Sequence, residues 1–180
     1  MKLFFMSDIH GSLTGLNQGL DAFEREGAEV LVLLGDLMYH GPRNPLPDEY
    51  RPKEVADRLN AYKSRILAVR GNCDSEVDQM LIEFPMMAEY AMLFADGRRI
   101  FATHGHHHHL EDLPALTAGD VFIQGHTHVP VAEKRGEVYV LNPGSVSLPK
   151  ENHPPSYGLI ADRRFQVKSF SGECIKEISW

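Results

Sequence analysis

LFFMSDIHGSLTGLNQGLDAFEREGAEVLVLLGD, residues 3–36, is the stretch that decides the fold class. Leu3-Phe4-Phe5-Met6 is a short continuous apolar run, the pattern of a strand buried on both faces. After it, Leu13, Leu16, Leu20 and Phe23 recur at spacings of three, four and three, which lines one face of a helix. Ser12 stands where an N-cap belongs, and Gly27 where a helix ends on a left-handed residue. A second apolar run covers residues 30–34. Strand, helix, strand in this order predicts a right-handed parallel crossover.

Beyond this unit, residues 41–52 carry four prolines and read as loop. A second helix with Val55, Leu59 and Tyr62 on one face leads to a strand at 66–69, and 76–84 reads as a short helix ended by Pro85. From about residue 88 the pattern changes to hairpins. Residues 91–95 and 99–102 flank Asp96-Gly97, and 129–133 and 137–141 flank Arg135-Gly136. A short helix is expected near 110–116, a strand at 121–123, and two or three antiparallel strands within 157–180. No repeat, linker or composition break divides the chain, so residues 1–180 read as one domain, a mixed α/β sandwich.

A chain of 180 residues with 43% hydrophobic and 24% charged residues can bury an extensive core, which excludes disordered and collagen-like classes. Its net charge of -7 argues against bulk nucleic acid and anionic membrane surfaces as partners. No apolar run approaches the ~18 residues that span a bilayer. The N-terminal apolar stretch runs into Asp8, too soon for a signal peptide. Cys73 and Cys174 do not make a disulfide framework. The expectation is a cytoplasmic protein, with a homo-oligomer left open.

The residues just past each strand carry the chemistry. The first apolar run leads to Asp8 and His10, the second to Asp36, and the strand at 66–69 to Asn72. The run 100–102 leads to His104, and 121–123 to His126 and His128. Side chains beyond the carboxyl ends of parallel strands converge, so seven oxygen and imidazole donors at five strand ends point to a site. Asp, Asn and His without thiolate suit divalent ions such as Mn²⁺, Fe²⁺, Co²⁺, Ni²⁺ or Zn²⁺. Seven donors exceed what one ion can use if water is to stay bound, which points to two ions sharing a carboxylate.

Asp8-Ile-His10, Gly35-Asp36, Gly71-Asn72-Cys73-Asp74, Thr103-His104-Gly105 and Gly125-His126-Thr127-His128 resemble the ordered motifs of the calcineurin-like metallophosphoesterases. With His40-Gly-Pro-Arg-Asn44 and Asn142-Pro-Gly-Ser145, the likeness is nearest the small bacterial phosphodiesterases of the YfcE type. The resemblance implies a four-layer α/β/β/α sandwich with mixed sheets. It implies two divalent metal ions, manganese first. Asp8, His10, Asp36 and His128 would hold one, and Asp36, Asn72, His104 and His126 the other. The implied reaction is hydrolysis of a small phosphodiester by direct attack of a metal-bridging hydroxide, with no covalent nucleophile. Two such ions would outweigh Asp8 and Asp36, so the site can draw phosphate despite an acidic chain.

Three positions depart from the family pattern. Cys73 stands where many members carry an acid His; it reads first as a small buried residue and only second as a weak acid. Weak protonation would favour esters with acidic leaving groups. His40 stands where related phosphatases place an Arg, and Arg43 lies three residues on. An imidazole grips phosphate less well than a bidentate guanidinium, which leans toward diesters. Asn72, His40, Arg43 and His106 are the candidate substrate contacts. His107, His108, His109 and His153 read as surface, and Asn142-Pro-Gly-Ser145 as a supporting turn. Two rival readings stay open: a non-catalytic metal-binding interaction scaffold of the same fold, as in the retromer subunit, and a metal-storage or sensing protein.

Overall fold

In the computed structural model, which describes residues 1–180, the first apolar run forms strand β1 (Leu3–Met6). Alternation along it splits its side chains between two cores. Phe4 and Met6 pack with Leu16, Leu20 and Phe23 of helix α1 (Leu13–Glu26), while Leu3 and Phe5 enter a layer between two sheets. The helix starts where Ser12 Oγ accepts from the Gly15 amide at 3.0 Å and ends where Gly27 turns left-handed at φ 61°. β2 (Val30–Leu33) then lies parallel to β1, with Leu31 opposite Phe4.

Helix α2 (Pro52–Asn60) begins at the last of the loop prolines, where the missing amide costs nothing. Tyr62 falls beyond its end but still packs edge-on against Phe23. β3 (Ile66–Ala68) extends the parallel set. The helix expected over 76–84 is one turn, α3 (Glu76–Gln79). The Gln79 amide donates to the carbonyls of Ile82 and Phe84 and accepts from the Met86 amide. One side chain thus ties a turn that keeps Phe84 and Met86 in the core after helical pairing has ended at the Ile82 amide, which donates to the Asp78 carbonyl.

The hairpins come next as β4 (Tyr90–Ala95) with β5 (Arg98–Thr103), then β6 (Val121–Ile123), and β7 (Val131–Arg135) with β8 (Val138–Asn142). Asp96 at φ 51° and Gly97 at φ 78° make the two-residue turn that their pairing predicts. β9 (Ser156–Ala161), β10 (Arg164–Ser169) and β11 (Cys174–Ser179) are antiparallel neighbours, and β9 returns beside β1. Two mixed sheets result, in the orders β11-β10-β9-β1-β2-β3 and β4-β5-β6-β8-β7. The buried layer between them joins Leu3, Phe5 and Val32 to Ile100, Val121 and Leu141.

No helix forms at 110–116. Leu110, Leu113 and Leu116 instead pack on Phe101, Phe122 and Val140, on the outer face of the second sheet. Their helical spacing arises from an irregular segment, interrupted by Pro114, laid over a sheet. This segment supplies the fourth layer. No helix of the chain is long and apolar enough to cross a membrane.

One polar tie joins α1 to the far strands. Glu26 Oε1 accepts from Lys168 Nζ at 2.6 Å and from the Tyr157 hydroxyl at 2.7 Å. Burial pushes this carboxyl up, but Lys168 and Tyr157 outweigh it and hold the group below its usual range. A depressed folded-state pKa stabilises above the unfolded value and is lost as pH falls through the folded one. Glu26→Gln is therefore expected to cost about 1.5–3 kcal/mol in urea unfolding at pH 7. The difference should shrink below pH ~4, where the wild-type carboxyl also protonates.

Candidate metal centre

The loops after β1, β2, β3, β5 and β6 deliver all seven expected donors to one place. On one side Asp8 Oδ1 lies 3.3 Å from His128 Nε2 and 3.7 Å from His10 Nε2, and the two imidazole nitrogens are 3.4 Å apart. On the other, His104 Nε2 lies 3.1 Å from both Asn72 Oδ1 and His126 Nδ1. Asp36 Oδ2 sits between the groups, 3.6 Å from His10 Nε2 and 3.5 Å from His104 Nε2. Asp8, His10, Asp36, His104 and His128 are buried, His126 is half-buried and Asn72 is exposed.

The imidazoles are aimed from behind. Nδ1 of His10, His104 and His128 donates to the carbonyls of Tyr39, Leu34 and Leu148 at 2.8, 2.7 and 2.6 Å. A proton held there leaves the Nε2 lone pair facing the centre. The backbone is forced as well. Asp8, His10, Asp36, His126 and His128 all have φ between 50° and 65°, a region that costs a non-glycine residue roughly 1–3 kcal/mol. The His10 amide donates to the Asp36 carbonyl and the His126 amide to Asp8 Oδ2, which holds two of these turns. Gly71 and Gly125 are required by close approach. A side chain at Gly71 would strike Asp36, and one at Gly125 would strike Ser7 and Asp8.

Electrostatics show what the arrangement accommodates. Asp8 Oδ1 is buried and has no hydrogen-bond partner, an expensive condition for a carboxylate unless a cation meets it. Burial disfavours charge on His104, yet its contact with Asp36 and the nearby Asp8 raise it to about 9. That proton is a partial substitute for positive charge between two carboxylates. Imidazole and carboxylate atoms pointed inward, with their outer atoms satisfied, fit a divalent ion of hard to borderline character.

A cleft of about 350 Å³ opens over the centre, lined among others by Asp36, Asn72, Cys73, His126, His128 and Arg43. Of the expected substrate contacts, Arg43 and Asn72 therefore face it. His40 does not: its ring packs edge-on to Tyr39 and Tyr50, at 4.8 and 5.2 Å, inside its loop. The His106 ring lies 5.4 Å from His104 and 6.4 Å from His126, beside the centre but outside the cleft lining. Burial and three neighbouring imidazoles lower it to about 4. Of the remaining run, His107 is exposed, His108 packs on Phe101 and His109 meets Glu111. Cys73 lines the cleft. Burial and the adjacent Asp36 push its thiol far above the usual range, so it keeps its proton.

Two residues have roles that sequence reasoning missed. Asp74, buried at 2% exposure, accepts from the amides of Asp36, Leu37 and Gly71 and so stitches the loop after β2 to the loop after β3. Its place in Gly71-Asn72-Cys73-Asp74 is the signal that could have found it. Lys150 lines the cleft and lies directly beyond the segment whose Leu148 carbonyl orients His128. The turn Asn142-Pro-Gly-Ser145 does support the site. Asn142 Nδ2 donates to the Gly125 carbonyl, and the hydroxyls of Ser145 and Ser147 donate to the Asp8 carbonyl.

Residues 1–163 match the family model of the calcineurin-like phosphoesterase superfamily domain. The chain is 51% identical to phosphodiesterase YfcE of Escherichia coli K12 over 175 residues, 97% of this chain and 95% of that protein. The solved structure of YfcE, described as a phosphoesterase from E. coli, superposes with a TM-score of 0.97, 49% identity and 99% coverage of each chain. Vps29 of Entamoeba histolytica, solved in complex with zinc, shares the fold at 20% identity and a TM-score of 0.61 over 99% of each chain.

Proposed function

This chain belongs to the calcineurin-like phosphoesterase superfamily and is a phosphoester hydrolase, and from that premise we propose that it hydrolyses a small phosphodiester using two divalent metal ions. Asp8, His10, Asp36 and His128 would hold one ion, and Asp36, Asn72, His104 and His126 the other. Manganese is the first choice of ion, ahead of iron, cobalt, nickel and zinc. The observation that carries the reading is Asp36 Oδ2, one carboxylate oxygen poised 3.6 and 3.5 Å from imidazoles of two separate donor groups.

Bound there, the ions would supply Lewis-acid charge to the phosphoryl oxygens and a water acidic enough to act as nucleophile near neutral pH. The chain's own groups do the positioning. The carbonyls of Tyr39, Leu34 and Leu148 hold three imidazoles in one tautomer and one orientation. Asn72, exposed in the cleft with Oδ1 toward His104, donates from Nδ2 to Cys73 Sγ at 3.3 Å, a weak acceptor that a phosphoryl oxygen can replace. A Cys73 thiol that keeps its proton is a poor acid for the leaving group, so acidic leaving groups are favoured. With His40 packed away, Arg43 is the one guanidinium lining the cleft, which suits a monoanionic diester better than a dianionic monoester.

The test is an assay on bis(p-nitrophenyl) phosphate and p-nitrophenyl phosphate. With Mn²⁺, the diester should be hydrolysed faster than the monoester, a chelator should abolish both activities, and added metal should restore them. Hydrolysis untouched by chelator would overturn the metal reading. Stoichiometric metal binding with no hydrolysis in any metal would leave the scaffold reading in its place.

A further inference from the structure

Two cations in the cleft have nothing to pair with. Arg43 and Lys150 both line it, and neither side chain makes a hydrogen bond or ion pair. Other surface cations find partners, as Arg51 does with Glu54, Lys63 with Glu83 and Arg65 with Glu24. The backbones that carry the two free cations are nonetheless ordered. The Lys150 amide donates to the His128 carbonyl at 3.3 Å, and its carbonyl accepts from the His153 amide at 3.1 Å. Glu151 at φ 55° and Asn152 at φ 61° close the tight turn between them. Arg43 sits in a loop tied by Asn44 Nδ2 donating to the His40 carbonyl at 2.8 Å. Side chains rooted this way lose less freedom on binding than ones on a mobile loop.

The lining also limits how a substrate could be recognised. Of its ten residues one is hydrophobic, and none is Phe, Tyr or Trp. A nucleobase would find no large ring to stack on and no apolar wall. Charge is what the cleft offers. Arg43 and Lys150 face a single lining carboxylate, Asp36, a surplus of one positive charge before any metal ion is counted. A monoanionic diester seated over two divalent ions would leave at least one of the two cations unmatched.

We infer that Arg43 and Lys150 form an anion subsite beside the metal centre, selecting phosphodiesters that carry a second anionic group, phosphate or carboxylate, over those distinguished by a nucleobase. This rests on the reading of the centre as the place where a diester is cleaved. Lys150, which sequence reasoning passed over, is the specificity-determining residue it adds.

Thymidine 5′-(p-nitrophenyl phosphate) and its 3′-phosphorylated counterpart share the scissile ester and the leaving group and differ by one phosphate. With Mn²⁺-loaded protein the 3′-phosphate is expected to lower KM by about tenfold, equivalent to about 1.4 kcal/mol. Lys150→Ala and Arg43→Ala should each bring that ratio below about threefold, and Lys150→Arg should keep it. The ratio is read within each variant, so a general loss of activity cannot imitate the result. A wild-type ratio near one, or a ratio unchanged in both alanine variants, overturns the subsite. If neither ester is hydrolysed in any metal, the catalytic reading is what has failed, and equilibrium dialysis under chelator then decides the subsite. Tighter binding of thymidine 3′,5′-bisphosphate than of thymidine 5′-monophosphate, lost in Lys150→Ala, supports it; equal binding overturns it.

Discussion

Asp36→Asn is expected to remove on the order of a thousandfold of kcat/KM toward an aryl diester, the equivalent of about 4 kcal/mol of transition-state stabilisation. The side chain is where the two donor groups meet, with Oδ2 between His10 and His104 and Oδ1 accepting from the Cys73 amide at 2.8 Å. Asparagine keeps the acceptor for that amide but turns an NH₂ toward the two imidazoles, where neither a metal ion nor a shared charge can be held. The same change should loosen the metal-free fold modestly. Burial and the nearby Asp8 push the Asp36 carboxyl up, but its contact with His104 outweighs them and holds it below its usual range, and asparagine loses that ionic contact. Metal linkage separates these effects. At a hundredfold excess over Kd, Mn²⁺ should stabilise the wild type by about 2.7 kcal/mol for each ion bound, and Asp36→Asn by far less. Wild-type turnover, or an undiminished metal-induced rise in Tm, would overturn the assignment of Asp36 as the shared ligand.

Asp74→Ala should do the reverse, damaging the fold first. Asp74 Oδ2 accepts from the amides of Asp36 and Gly71 at 2.8 and 2.7 Å, and Oδ1 accepts from Leu37 at 2.8 Å. Alanine would strand three amides in a buried place, and unpaired buried donors cost about 1–3 kcal/mol each. Partial rescue by water brings the expected loss to about 3–5 kcal/mol in metal-free protein, visible as a lower urea midpoint. The bond to Asp36 also helps hold that residue at φ 56°, so metal affinity should fall about 10–100-fold, as when other orienting partners of ligands are removed. Asp74→Asn should rescue only in part, because its one carbonyl oxygen can still accept from Asp36 and Gly71 while its NH₂ faces the Leu37 amide, which can only donate. A loss below about 1 kcal/mol for Asp74→Ala would mean the two loops hold together without this carboxylate.

These two aspartates mark different degrees of legibility. Asp36 is readable because it lies just past a buried apolar run, and side chains in that position gather at a strand's carboxyl end whatever the details of packing. Asp74 stands in the motif Gly71-Asn72-Cys73-Asp74, yet nothing local says that its carboxylate reaches back to the amides of Asp36 and Leu37 across the sequence. The same division runs through the elements. Helix α1 is legible because Ser12 and Gly27 supply its ends locally. The segment 110–116 is not, because its leucine spacing reflects the outer face of a sheet made by Phe101, Phe122 and Val140. At 76–84 the misleading part is the apolar periodicity, which a single glutamine side chain diverts into a turn.

By itself the sequence determined the short buried strands, the capped first helix, the hairpin at Asp96-Gly97, and the type and order of the seven donors. Each of these depends on residues close along the chain, where periodicity, capping and turn chemistry act. Only the tertiary structure decided which side chains share a space: that His40 is packed into its loop, that His106 stands beside the centre, and that Lys150 joins Arg43 over it. It also decided that one oxygen of Asp36 lies between two donor groups. Those distances are set by how two sheets pack through a dense layer of Leu, Ile, Val and Phe side chains, and that packing depends on contacts between residues far apart in the chain.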